Sequence, residues 1–169
     1  MKHSNLWAPW RINYIQALAD KTDCFLCDYA SHPKCDDDNL VLWRTSRCLV
    51  VLNKFPYNNG HLLIAPLRHI AEFDQADDAE LLELNKLVRE SKKALTQAIH
   101  PHGFNVGMNF GRCAGAGLPD HLHAHLVPRW DGDTNFMSIC SHTDVISQSL
   151  TELFSLLKDI SKKQNLPGL

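Results

Sequence analysis

The sequence predicts an α+β fold built on a mainly antiparallel sheet. Three observations carry this expectation. Short apolar runs with strand character recur between residues 47 and 128. Tight links rich in Gly, Pro and Asn join them, and two longer stretches carry the helical period.

The elements follow in order. "YASHPKCDDDNL" (29–40), with Pro33 and three consecutive aspartates, reads as a surface loop. "RCLVVLN" (47–53) and "HLLIAP" (61–66) flank "KFPYNNG", where Pro56, Asn58, Asn59 and Gly60 supply turn chemistry. The two runs read as an antiparallel pair. Residues 76–99 read as a helix. Ala79, Leu81, Leu82, Leu84, Leu87, Val88, Ala94 and Leu95 recur at helical spacing, Asp77 or Asp78 caps the start, and "HPHG" (100–103) ends it. "FNVGMNFG" (104–111) and "HLHAHLVP" (121–128) read as two further strands joined by the glycine-rich "RCAGAGLPD". A second helix is expected over 143–163, on Val145, Ile146, Leu150, Leu153, Phe154, Leu156, Leu157 and Ile160.

Composition narrows the function. The chain has 169 residues, 44% hydrophobic and 21% charged, which fits one globular domain. A net charge of −2 argues against a nucleic-acid binder but leaves room for a small anionic ligand at a local site. No apolar run of about 18 residues marks a membrane span. The start, "MKHSNLWAPWRINYI", lacks the apolar stretch of a signal peptide, so a cytoplasmic protein is expected. Six cysteines in such a chain read as thiols or metal ligands rather than disulfides.

His121, His123 and His125 stand at every second position of "HLHAHLVPRW". On a strand they share one face, and Leu122, Ala124 and Leu126 share the other. Three readings are open: a polar surface, a metal site, or a nucleophile with imidazole assistants. An imidazole is largely neutral at pH 7 and attacks phosphorus without a separate base when its other nitrogen is held as a donor. A neighbouring imidazole donates to phosphoryl oxygens as charge builds there. The preceding "GRCAGAG" (111–117) brings flexible backbone suited to an anion, which favours the third reading. Separately, "CFLC" (24–27) has C-x2-C spacing, half of a tetrahedral zinc site. His69 with His121, or His32 with Cys35, are the candidates to complete it. Cys48, Cys113 and Cys140 read as ordinary buried or semi-buried thiols.

His-Leu-His-Ala-His-Leu-Val resembles the signature of the histidine triad (HIT) superfamily. "NKFPYNNGHLLIAPLRH" (53–69) resembles the family's first hairpin. "FNVGMNFGRCAGAGLPDHLHAHLVPRWDGDTNFM" (104–137) and "LWAPWR" resemble its bacterial diadenosine-tetraphosphate phosphorylase-like branch, related to the Fhit hydrolases. The resemblance implies a five-stranded antiparallel sheet with helices, continued across a homodimer. It implies one domain over 1–169: an N-terminal segment 1–40 with the C-x2-C, a catalytic core 41–140 and a C-terminal helix 141–169.

The resemblance also implies residue roles. His123 is the nucleophile that forms a covalent nucleotidyl–imidazole intermediate, and His125 contacts the phosphate and the leaving side. Asn53 meets the ribose hydroxyls, His61 lies near the site, and Asn109 with the Gly115, Ala116 and Gly117 backbone meets the phosphates. Many relatives bind zinc through a C-x2-C, a histidine at the place of His69 and the first triad histidine. That pattern favours a structural zinc on Cys24, Cys27, His69 and His121, with no organic cofactor. Trp130 reads equally as a pocket wall or as core, and Trp7 and Trp10 as packing residues. The implied reaction is attack on the α-phosphate of a dinucleoside polyphosphate, with phosphate or water as acceptor. A Hint-type nucleoside phosphoramidase and a non-catalytic nucleotide-binding protein are the alternatives. The glutamine that Fhit-type hydrolases carry before the triad is absent from "GAGLPD", which suits the phosphorylase-like branch.

Overall fold

In chain order the elements are α1 (Phe25–Ser31), β1 (Val41–Arg44), β2 (Cys48–Leu52), β3 (Leu62–Pro66), α2 (Asp78–Ile99), β4 (Gly103–Met108), β5 (Ala124–Arg129) and α3 (Leu150–Gln164). The structure is a computed structural model in which residues 24–133 and 146–164 are described. Trp7, Trp10, Cys140 and Val145 lie outside the described residues. The five strands form one antiparallel sheet in the order β1-β2-β3-β5-β4.

Strand alternation sorts the apolar residues onto two faces. Val50 and Leu52 of β2, Leu62 and Ile64 of β3, and Ala124 and Leu126 of β5 pack under α2 and α3. They meet Leu84, Leu87, Ala94 and Leu95 of α2 and Leu153, Phe154, Leu157 and Ile160 of α3. Leu49, Val51, Val41 and Ala65 face the other way, against Leu26 and Tyr29 of α1. β2 and β3 are therefore buried on both faces, which is why they read as continuous apolar runs rather than alternating ones.

Helix α2 starts at a reciprocal capping box. The Asp77 carboxylate accepts the Glu80 N–H at 2.8 Å and the Glu80 carboxylate accepts the Asp77 N–H at 3.0 Å. The cap is Asp77, not Asp78. The helix ends at His100, in the left-handed region with φ 46°. Ala79 and Leu82, expected on its apolar face, are exposed.

Several expectations need correction. Residues 29–40 are not a plain loop: α1 runs to Ser31, and Pro33–Cys35 form a 3-10 turn. Asp36 holds this segment by accepting from Arg44 Nε at 2.7 Å. β1 was missed because four residues with a bulge at Leu42 show no clean alternation. The strand predicted over 121–128 begins only at Ala124. Leu122 N–H donates instead to the Ile70 carbonyl at 2.6 Å, so 121–123 sit outside the ladder. The C-terminal helix begins at Leu150, not 143, which leaves Ile146 ahead of it.

Candidate active site and metal centre

His125 is the one triad histidine within β5, opposite Leu63 of β3 and Gly107 of β4. Its side chain lies on the face away from α2 and α3, where Ala124 and Leu126 point. His123 and His121 precede the strand and are almost fully buried. The His123 and His125 rings are 4.9 Å apart between centroids.

The hydrogen bonds set each tautomer. His123 Nδ1 lies 2.7 Å from the His121 carbonyl oxygen, so Nδ1–H donates and Nε2 keeps its lone pair. His61 Nδ1 accepts from the Tyr57 N–H at 3.1 Å and from Asn53 Nδ2 at 3.2 Å. His61 Nε2–H therefore donates to His125 Nδ1, 2.9 Å away. That leaves His125 with its proton on Nε2. Asn109 Nδ2 stands 3.5 Å from this Nε2, and a flip of the amide would bring its oxygen there to accept the Nε2–H. A lone pair on His123 thus stands beside an N–H donor on His125.

Burial keeps these imidazoles neutral. It lowers His61 to about 3, with the neighbouring His125 and His123 adding to the effect. It lowers His125 to about 4, with His123 adding. His123 is also lowered, by burial, against the opposing bond to the His121 carbonyl.

The second cluster lies at the other side of His121. Cys24 Sγ is 3.1 Å and Cys27 Sγ 3.5 Å from His121 Nδ1. His69 Nδ1 is 3.2 Å from Cys27 Sγ and 3.3 Å from His121 Nδ1. The four ligand atoms all lie within 4.8 Å of one another. A zinc with bonds of about 2.3 Å to sulfur and about 2.0 Å to nitrogen spaces its ligands about 3.3–3.8 Å apart, so the donor set fits. His121 Nε2–H donates to the Pro66 carbonyl at 2.9 Å, which turns the Nδ1 lone pair into the cluster. Burial, and then the neighbouring Cys24, push the Cys27 thiol up to about 11. The segment carrying His69 is anchored by Arg68, which donates to both Glu80 carboxylate oxygens at 2.9 and 2.7 Å. The rival pair is not assembled: His32 Nδ1 turns to the Asp28 carbonyl at 2.9 Å, and Cys35 is exposed.

Other candidates fall differently. Asn53 engages both ends within the protein, its Oδ1 accepting the Phe55 N–H at 2.9 Å while Nδ2 holds His61. The glycine loop closes into a 3-10 turn at Arg112–Ala114. The Gly115 N–H donates to Arg112 O at 3.0 Å and that of Ala116 to Gly111 O at 3.4 Å, so neither is presented outward. The Gly117 N–H makes no backbone bond among the described residues. Trp130 ends β5 on the side away from His123, about 16 Å along the strand from His125 at roughly 3.3 Å per residue. Cys48 is buried, but Cys113 is exposed in the glycine loop rather than packed. Tyr57 was not singled out from the sequence. Its centroid is 4.6 Å from that of His61 and 5.6 Å from that of His125, and the one cue was its place four residues before His61.

An antiparallel sheet that carries a buried imidazole with a free Nε2 lone pair beside a second imidazole N–H is an arrangement able to do nucleophilic chemistry at phosphorus. Residues 35–132 match the HIT domain family, and the chain belongs to it. It is 38% identical over 158 residues to the AP-4-A phosphorylase of Mycobacterium tuberculosis, which covers 90% of this chain and 81% of that protein. A Zn-bound histidine triad family protein from Mycobacterium smegmatis has the same fold, with TM-score 0.68 at 21% identity over 85% of this chain and 96% of its own. A hypothetical histidine triad nucleotide-binding protein from Sulfolobus tokodaii matches with TM-score 0.64 at 28% identity over 85% of this chain and 93% of its own.

Proposed function

We propose that the protein transfers a nucleotidyl group from a dinucleoside polyphosphate, of the diadenosine tetraphosphate kind, to phosphate or water. The observation that carries this reading is the His123 Nδ1–His121 carbonyl bond of 2.7 Å, which leaves Nε2 as a neutral nucleophile. Nε2 attacks the α-phosphorus, the bond to the bridging oxygen breaks, and the polyphosphate departs with the bonding electrons. His125 Nε2–H donates to a non-bridging oxygen as charge gathers there. The departing polyphosphate is acidic and needs little protonation. Phosphate or water then attacks the phosphorus of the nucleotidyl–His123 intermediate and releases the imidazole.

Cys24, Cys27, His69 and His121 would hold a zinc ion, which supplies a fixed crosslink and no open coordination position. These residues tie the segment before α1 to the turn after β3 and to the residue whose carbonyl orients His123. The similarity to the AP-4-A phosphorylase supports the substrate class. We take 1–169 as a single domain, since α1, α2 and α3 pack on one sheet. We also propose a homodimer joined at β4, the sheet edge, where Val106 is exposed. Among the described residues no helix is long and apolar enough to cross a membrane. A cytoplasmic location remains part of the proposal.

The experiment is incubation with diadenosine tetraphosphate, with and without phosphate. ADP plus ATP marks phosphorolysis, and AMP plus ATP marks hydrolysis. Turnover of an adenosine phosphoramidate alone would replace this reading with the Hint-type one.

A further inference from the structure

Tyr57 is 58% exposed, whereas His61 directly beneath it is fully buried. The tyrosine ring lies 23° from parallel to His125 and 35° from parallel to His61. We propose that Tyr57 is a positioning residue, whose ring forms the outer wall of the His61–His125 pair and keeps water from the hydrogen bond that sets the His125 tautomer. The proposal rests on the reading of His125 as the phosphate donor.

The wall is fastened rather than mobile. The Asn53 Oδ1 accepts the Phe55 N–H at 2.9 Å. Asn58 Nδ2 donates to the Pro128 carbonyl at 3.2 Å and to Asp133 at 2.8 Å. Asn59 Nδ2 donates to Gln148 at 3.1 Å. Pro56 sits immediately before Tyr57 and restricts the backbone there. One bond within the loop and anchors to the end of β5 and to Gln148 therefore hold one exposed ring over two imidazoles.

Water at this place would offer both rings other partners. His61 Nε2–H would no longer have His125 Nδ1 as its one acceptor, and His125 could carry its proton on Nδ1. Its Nε2 lone pair would then meet the phosphate oxygens and repel them. The groups facing the pair are His123 from the start of β5, Asn109 after β4, and Asn53 and Tyr57 from the loop. Lys54 in the same loop sets its Nζ 5.5 Å over the Tyr29 ring, toward α1. The charge neighbours acting on His61 are His125 and His123, and on His125 only His123, so solvent exclusion decides their state.

The test compares Tyr57→Ala, Tyr57→Leu and Tyr57→Phe with the parent protein. The ring resonances of His61 and His125, assigned with His61→Asn and His125→Asn, are followed against pH by NMR. Steady-state kinetics are measured alongside. In Tyr57→Ala both rings should titrate at least about one pH unit higher, and kcat should fall about tenfold with KM nearly unchanged. Tyr57→Phe should match the parent, with Tyr57→Leu between them. Unchanged titrations of both histidines in Tyr57→Ala and Tyr57→Leu would overturn the proposal. The titrations need no substrate, so shifted titrations without any nucleotide turnover would uphold the wall while removing the proposed reaction.

Discussion

His123 holds its Nδ1 2.7 Å from the carbonyl oxygen of His121, two residues back in the chain. His121 in turn spends its Nε2–H on the Pro66 carbonyl and aims Nδ1 at Cys24 and Cys27. One residue therefore joins two clusters, through its backbone to His123 and through its ring to Cys24 and Cys27.

Replacing His123 tests its proposed role as nucleophile. His123→Ala should lower kcat by at least about 10³-fold while the fold persists, because among the described residues no other histidine has a free nitrogen in the same place. Turnover of diadenosine tetraphosphate within tenfold of the parent would rule out catalysis by His123.

The metal cluster predicts bound zinc near one per chain. Elemental analysis of protein prepared without chelator should find it, and fewer than about one zinc per four chains would contradict a structural four-ligand site. Cys24→Ser and Cys27→Ser should lose zinc and melt earlier by an amount worth several kcal/mol. They should also lose activity, because His121 would no longer hold the carbonyl that orients His123.

The pH dependence follows from burial of His61 and His125. Their ordinary value is 6.5, and in the folded protein they are lowered to about 3 and about 4. Between these limits the unfolded chain binds protons that the native protein does not. Stability is thus full above pH 6.5 and falls progressively as pH drops toward 3. Thermal melting from pH 8 to pH 4 should show this decline beginning near 6.5. A melting temperature that rises on acidification would contradict it.

Gly60 tests the turn before His61. Its φ is +77°, and an added Cβ would stand 2.8 Å from Ile99 Cδ1 and 3.0 Å from Leu95 Cδ2. Gly60→Ala should therefore destabilise by about 1–3 kcal/mol through strain and overpacking. Urea unfolding measures this directly, and a change under about 0.5 kcal/mol would place the turn away from α2.

Much of this architecture was legible in the sequence, for identifiable reasons. β2, β3 and most of α2 are legible because nearly all their apolar residues are buried or half-buried, Ala79 and Leu82 excepted. The triad was legible because three imidazoles at period two have few structural uses. The limits are equally specific. His121 and His123 were expected within a strand, but the tertiary bond from Leu122 to Ile70 takes them out of the ladder. The resemblance implies a ribose contact for Asn53, and its bond to His61 depends on a loop geometry that spacing does not encode. In the glycine loop the Gly115 and Ala116 N–H groups close a turn, which composition does not foretell, while the Gly117 N–H makes no backbone bond among the described residues. Tyr57 carried no signal because stacking on buried histidines is a three-dimensional fact.

The central claim is a covalent intermediate on one named nitrogen. Rapid acid-free quenching during turnover of diadenosine tetraphosphate, followed by peptide mass spectrometry, reads it directly. An adenylyl adduct is expected on the peptide bearing His123, absent from His123→Ala. Steady turnover with no adduct, or with the adduct on another residue, would contradict it.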